Sequence, residues 1–126
     1  MSATDDVVGR FWELTQEADR VDSTELETDI EPWLEAVLSH VLRHPEAKGQ
    51  FVKSFMDLLR EDRGPTELVE YCMHALRWPE VKAEVAAWLE SEKSERVRHA
   101  LRGVLRAFDD DWHVASSYAR FSSAAR

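Results

Sequence analysis

The chain is poor in cysteine, glycine and cations, and it has no long apolar run. One cysteine among 126 residues, Cys72, cannot close an internal disulfide. That points to a reducing setting, and a cytoplasmic location is expected. The longest apolar stretches fall far short of the roughly 18 residues that a membrane-spanning helix needs. The first residues, Met1 to Asp6, are acidic and carry no apolar h-region, so a secretory signal is not expected there. Four glycines (Gly9, Gly49, Gly64, Gly103) leave little backbone freedom for a phosphate loop. No dinucleotide fingerprint or nucleophile elbow occurs. No window alternates with a period of two, so no sheet is expected. Cations are outnumbered, 16 Lys and Arg against 25 Asp and Glu, for a formal charge of −9. Such a balance disfavours nucleic acid, whose phosphates need cations, and suits a basic protein partner.

What the chain does have is a repeat. His40-Val41-Leu42-Arg43-His44-Pro45-Glu46-Ala47-Lys48 returns as His74-Ala75-Leu76-Arg77-Trp78-Pro79-Glu80-Val81-Lys82, offset by 34 residues with six of nine positions identical. Leu34 aligns with Leu68, Val37 with Tyr71, Leu38 with Cys72, Phe51 with Val85 and Phe55 with Leu89. A fixed period of this size predicts an array of helix pairs.

The apolar spacing around the repeat predicts about seven helices. A first helix begins at Asp5 and ends near Ala18, with Val7, Phe11, Leu14 and Ala18 inward, and an acidic connector continues to residue 30. The first repeat unit is 31–60. Pro32 sits at a helix start, where a missing N–H costs nothing. Leu34, Val37, Leu38, Val41 and Leu42 form its stripe. Pro45 ends that helix and opens the next, which buries Phe51, Phe55, Leu58 and Leu59. The second unit, 65–94, repeats the plan around Pro65 and Pro79. A degraded unit, 94–121, holds a helix capped by Ser94 and a short seventh helix from Asp111 to Phe121. The tail, 122–126, should fray. The whole reads as a single helical-repeat domain.

The segments Pro79 to Leu89 and Ser94 to Leu105 resemble second helices of HEAT and armadillo repeats, over roughly residues 31–108. That resemblance implies an all-α stack of antiparallel helix pairs, an α-α superhelix, and an interaction scaffold. It carries no catalytic residues.

Chemistry-bearing groups have structural accounts. His40 and His44 stand at i and i+4, a metal-chelating spacing. In the second copy Trp78 replaces His44, so a repeated histidine at a helix C-terminus is the simpler account, and no metal is assigned. Cys72 and His74 project about 200° apart on a helix, which precludes a nucleophile–base pair. No catalytic residue, metal or cofactor is assigned, and the chain is expected not to be an enzyme.

The acids are concentrated. From Glu17 to Glu35 there are eight acids and one base. Asp29 and Glu31 suit the positive end of a helix. Glu25, Glu27 and Glu35 have no comparable local role and are expected to face a cationic partner. Glu25, Glu27, Glu31, Glu35 and the run Asp109, Asp110 and Asp111 are the candidate binding acids. Trp33 and Trp78 are the candidate anchors, since tryptophan is enriched at binding hot spots. The expected function is a protein-binding module or inhibitor, of an immunity or antitoxin type, that meets a basic partner without membrane or nucleic acid. Two alternatives carry different signatures. A nucleic-acid-processing enzyme on this scaffold needs a basic concave face, yet Lys48, Lys53, Lys82 and Arg98 are matched by Glu46, Asp57, Glu84 and Glu95. A self-associating regulatory scaffold needs a self-complementary surface.

Overall fold

A computed structural model describes residues 3–24 and 29–122 of the chain. The described residues are helical and contain no strand. Six α-helices follow one another: α1 (Ala3–Thr24), α2 (Glu31–Arg43), α3 (Lys48–Glu61), α4 (Thr66–Leu76), α5 (Pro79–Ser91) and α6 (Glu95–Arg106). Short 3-10 turns stand at Pro45–Ala47 and Ala115–Ser117.

The sequence cues explain most boundaries. At the start of α2, Asp29 Oδ1 accepts the Glu31 N–H at 3.0 Å, and Pro32 occupies the first turn. α3 ends on Asp62 with φ 53° and α4 on Arg77 with φ 54°. Both are left-handed closures that return an N–H to the last turn, here to the carbonyls of Leu58 and Met73. Ser94 caps α6 by accepting the Val97 N–H. Arg98 then donates to the carbonyls of Leu89 and Glu92, tying the end of α5 to α6.

Several expectations need correction. α1 does not stop near Ala18 but continues to Thr24, because Val21 prolongs its apolar stripe and is fully buried. Pro45 opens a 3-10 turn, and α3 starts three residues later, whereas Pro79 leads straight into α5. The seventh helix is absent: after α6 the described residues run in turns, with only Ala115–Ser117 in 3-10 form. Leu42 points to solvent at 51% exposure, although its spacing puts it on the apolar stripe of α2. Of the tail, only Ser122 is among the described residues.

α2, α4 and α6 pack side by side in that order, α3 packs on α5, and α1 lies mainly on α2. Phe11 of α1 contacts Phe51 and Phe55 of α3, with ring centroids 5.7 and 5.2 Å apart. Phe55 and Leu101 are both buried, as their central stripe positions predict. No described helix is long and apolar enough to cross a membrane.

Candidate functional site

Of the candidate binding acids, Glu31 and Glu35 are used inside the molecule. Glu31 is buried at the start of α2. Its carboxylate accepts the backbone N–H groups of Ala119 (2.7 Å) and Arg120 (3.0 Å) and the Tyr71 hydroxyl (2.7 Å). Burial works against ionisation, but the Arg120 amide, the Tyr71 hydroxyl and the Ala119 amide together hold its pKa below the usual carboxylate range. One turn on, Glu35 receives both arms of the Arg120 guanidinium, at 2.6 and 2.7 Å, and the Ser39 hydroxyl (3.1 Å), and it shares the single Tyr71 hydroxyl proton (2.8 Å) with Glu31. The bidentate arginine pushes its pKa down to about 2, against the opposing effect of burial. Glu35 therefore has a structural role that its local sequence hides: its main partner lies 85 residues away. Glu25 and Glu27 lie outside the described residues.

This network straps residues 118–121 onto α2 and α4. Tyr118 adds a hydroxyl donated to Glu67. Tyr118 and Phe121 pack their rings on Tyr71, each at 5.0 Å. Trp112, expected at a helix start, instead lies buried in a turn, 4.9 Å from the His74 ring. A segment without a helix must still satisfy its backbone donors: Glu31 takes the amides of Ala119 and Arg120, and turn carbonyls take those of Trp112, Ala115, Ser117, Tyr118 and Phe121.

The repeated histidines seal backbone carbonyls. His40 Nε2 lies 2.8 Å from the Val7 carbonyl of α1, and His74 Nδ1 lies 2.7 Å from the Ala107 carbonyl after α6. His40 and His44 are ring neighbours at 4.8 Å, and no group of three metal-binding side chains occurs among the described residues. Cys72 is buried, and burial raises its thiol pKa far above the reactive range.

The two tryptophan anchors differ. Trp78 is half-buried against Phe55, with the Lys48 ammonium 5.3 Å from its ring, so it serves the α3–α5 contact. Trp33 lines a groove of about 510 Å³ between α1 and α2, together with Leu14, Pro32, Ala36, Arg10, Glu13, Gln16 and Glu17. Its acids are only loosely held. Glu13 pairs with Arg10 at 3.0 Å and Glu17 with Arg20 at 3.7 Å, all more than half exposed. Asp109, Asp110 and Asp111 are exposed at the far end of α6. Asp110 bonds Arg77 at 2.9 Å, and that guanidinium lowers its pKa.

Sequence reasoning missed Glu70. It projects from α4 toward α6, into a cavity of about 370 Å³ that Gly103, Arg106, His99, Trp112 and His113 also line. Burial, and then repulsion from Glu67, push its pKa up to about 7, with Arg106 opposing. A signal was available: Gly103 stands alone inside an otherwise good helix, which calls for a packing reason. A Cβ there would meet Glu70 Oε2 at 2.8 Å.

Compared with known proteins, the chain matches no family model, no curated protein and no solved structure.

Proposed function

We propose that this chain is a non-enzymatic protein-binding module, a HEAT-like stack of helix pairs, whose acidic N-terminal face meets a basic partner. The observation that carries the reading is the groove between α1 and α2. There a half-buried Trp33 lies beside Glu13 and Glu17, at the edge of the segment where eight acids meet one base. Glu31 and Glu35 are consumed by the C-terminal strap, so the binding charge moves to α1, whose Glu13, Glu17, Asp19 and Asp22 are exposed. Exposed pairs such as Arg10–Glu13 contribute little by themselves. They can therefore exchange for a partner's cations at small cost. The ring supplies apolar area and the acids steer encounter. An inhibitor or immunity-type role fits this division of labour.

The cationic side chains favour this reading over nucleic-acid binding, because several are already engaged. Lys53 pairs with Asp57 at 2.7 Å, Lys48 with Glu80 at 3.1 Å and Arg60 with Glu84 at 3.5 Å.

The test is a titration against a partner recovered from the native host, at two salt concentrations. Trp33→Ala should weaken binding by about 2 kcal/mol, roughly thirtyfold. Glu13→Lys with Glu17→Lys should slow association, most at low salt. The control, Asp109→Lys with Asp111→Lys, should leave both unchanged. If the control weakens binding and the groove variants do not, the surface lies at the end of α6 instead.

A further inference from the structure

Glu70 is a half-buried carboxylate that, among the described residues, accepts no hydrogen bond and joins no ion pair. Its neighbour Glu67 is engaged by the Tyr118 hydroxyl. The nearest cation, Arg106, is exposed and brings Nη2 to 3.9 Å from the position a Gly103 side chain would take, yet makes no ion pair with Glu70. Buried carboxylates are ordinarily paired or hydrogen-bonded. The space that Glu70 occupies is also kept open at a cost. Glycine in a helix interior is about 1 kcal/mol worse than alanine, and a larger residue at 103 would displace the mobile end of the Glu70 side chain.

We propose that the cavity between α4, α6 and the turn at Trp112 binds a small organic monocation, a primary ammonium or guanidinium group, with Glu70 as its counter-ion and Trp112 in its wall. The cavity, at about 370 Å³, has room for such a head and a short alkyl stem. Trp112 and Val114 line the cavity and offer apolar contact for the stem. An ionised Glu70 would repel an anion, in opposition to Arg106, which lines the same cavity. The site lies apart from the α1–α2 groove and does not depend on it.

The ionisable groups around Glu70 set the pH behaviour. They are Glu67 on the same helix, His99 and Arg106 on α6, and His113 and Tyr118 beyond it. A cation binds the ionised carboxylate, so affinity should rise as pH passes upward through about 7, where Glu70 gives up its proton.

The experiment records amide and indole resonances of Gly103 and Trp112 in the full chain. Ethylammonium or ethylguanidinium chloride is added, with sodium chloride at equal ionic strength as reference. The expected result is saturable shifts in the millimolar range that strengthen from about pH 6 to about pH 8. Glu70→Gln, nearly isosteric, should weaken binding at least about tenfold. Gly103→Ala, which crowds the carboxylate, should weaken it too, so the idea stays testable if either variant folds poorly. Arg106→Ala should tighten it, because a competing intramolecular cation is lost. Acetyl-lysine and acetyl-arginine amides separate the sources: if they bind as tightly as the free amines, the site takes a side chain presented by a partner, and if they do not, it takes a free amine. Shifts no larger than those with sodium chloride, or shifts of equal size in Glu70→Gln, overturn the proposal.

Discussion

α1 and the segment after α6 both lie against the α2–α4 layer, and they are held there in different ways. α1 has 22 residues of regular helix, so most of its backbone groups are satisfied within itself, and it docks by burying Phe11, Ala18 and Val21. Residues 107–122 have almost no regular structure, so beside the buried Phe108, Trp112 and Tyr118 their docking uses polar anchors: Glu31 for two amides, Glu35 for Arg120, and Glu67 for Tyr118. Even the shared device points two ways. His40 reaches back to a carbonyl of α1, and His74 reaches forward to a carbonyl after α6. The same nine-residue stretch thus serves whichever flank needs a carbonyl sealed, and the flank decides which physics does the rest.

The sharpest way to break this contrast is to remove one apolar anchor. Phe11 is fully buried between Trp12, Phe51 and Phe55. Phe11→Ala should cost about 3–5 kcal/mol in chemical denaturation, with little dependence on salt or pH. A loss below about 1 kcal/mol would mean that α1 is held by something other than its stripe.

The strap should respond differently. Glu31→Ala leaves the amides of Ala119 and Arg120 without their acceptor and should cost about 2 kcal/mol. The effect should be concentrated near Trp112 and Phe121 and visible in their local spectra. The strap should also be acid-sensitive. Glu35 ionises more readily when folded, at about 2 against an ordinary 4.5. Its contribution is therefore complete above about 4.5 and is lost as pH falls toward about 2. Acid titration should release the strap before α1, as followed by Trp112 against Trp12. Simultaneous release would remove the distinction between the two flanks.

What the sequence displayed and what it hid follow the same division. Helices built on local apolar spacing and proline positions were legible, and α2, α4, α5 and α6 begin where Pro32, Pro65, Pro79 and Ser94 place them. The burial of Phe55 and Leu101 was legible for the same reason. The strap was not, because its partners are separated by 51 to 89 residues, and no local pattern links Glu35 to Arg120. Asp111 to Phe121 has the composition of a short helix, but its aromatic rings are placed by contacts with Tyr71 and His74, which override local propensity. Among the candidate anchors, Trp33 faces a groove and Trp78 serves packing, a difference that helix-start position alone could not reveal.

The smallest expected effect tests the contrast from its weak side. α1 docks mainly through apolar surface, with His40 on its Val7 carbonyl, and its one buried polar side chain among the described residues is unsupported. Thr15 has no exposure, and its Oγ1 has no hydrogen-bond partner among the described residues. A helical hydroxyl usually escapes by bonding the carbonyl four residues back, as Ser54 does to Gln50 at 2.9 Å. Thr15 does not. Its methyl group lies against Gly64, where an added Cβ would come within 2.8 Å of Cγ2, so the side chain has little room to turn. Valine has nearly the same shape and no hydroxyl to desolvate. Replacing a buried unpaired group by an apolar one of the same shape is neutral or stabilising. Thr15→Val should therefore raise stability by up to about 1 kcal/mol, with the melting temperature following. Thr15→Ser, which keeps the hydroxyl and loses the methyl contact, should lower it. If Thr15→Val instead destabilises by more than about 1 kcal/mol, the hydroxyl has a partner and α1 is anchored by a second polar contact besides the His40–Val7 bond.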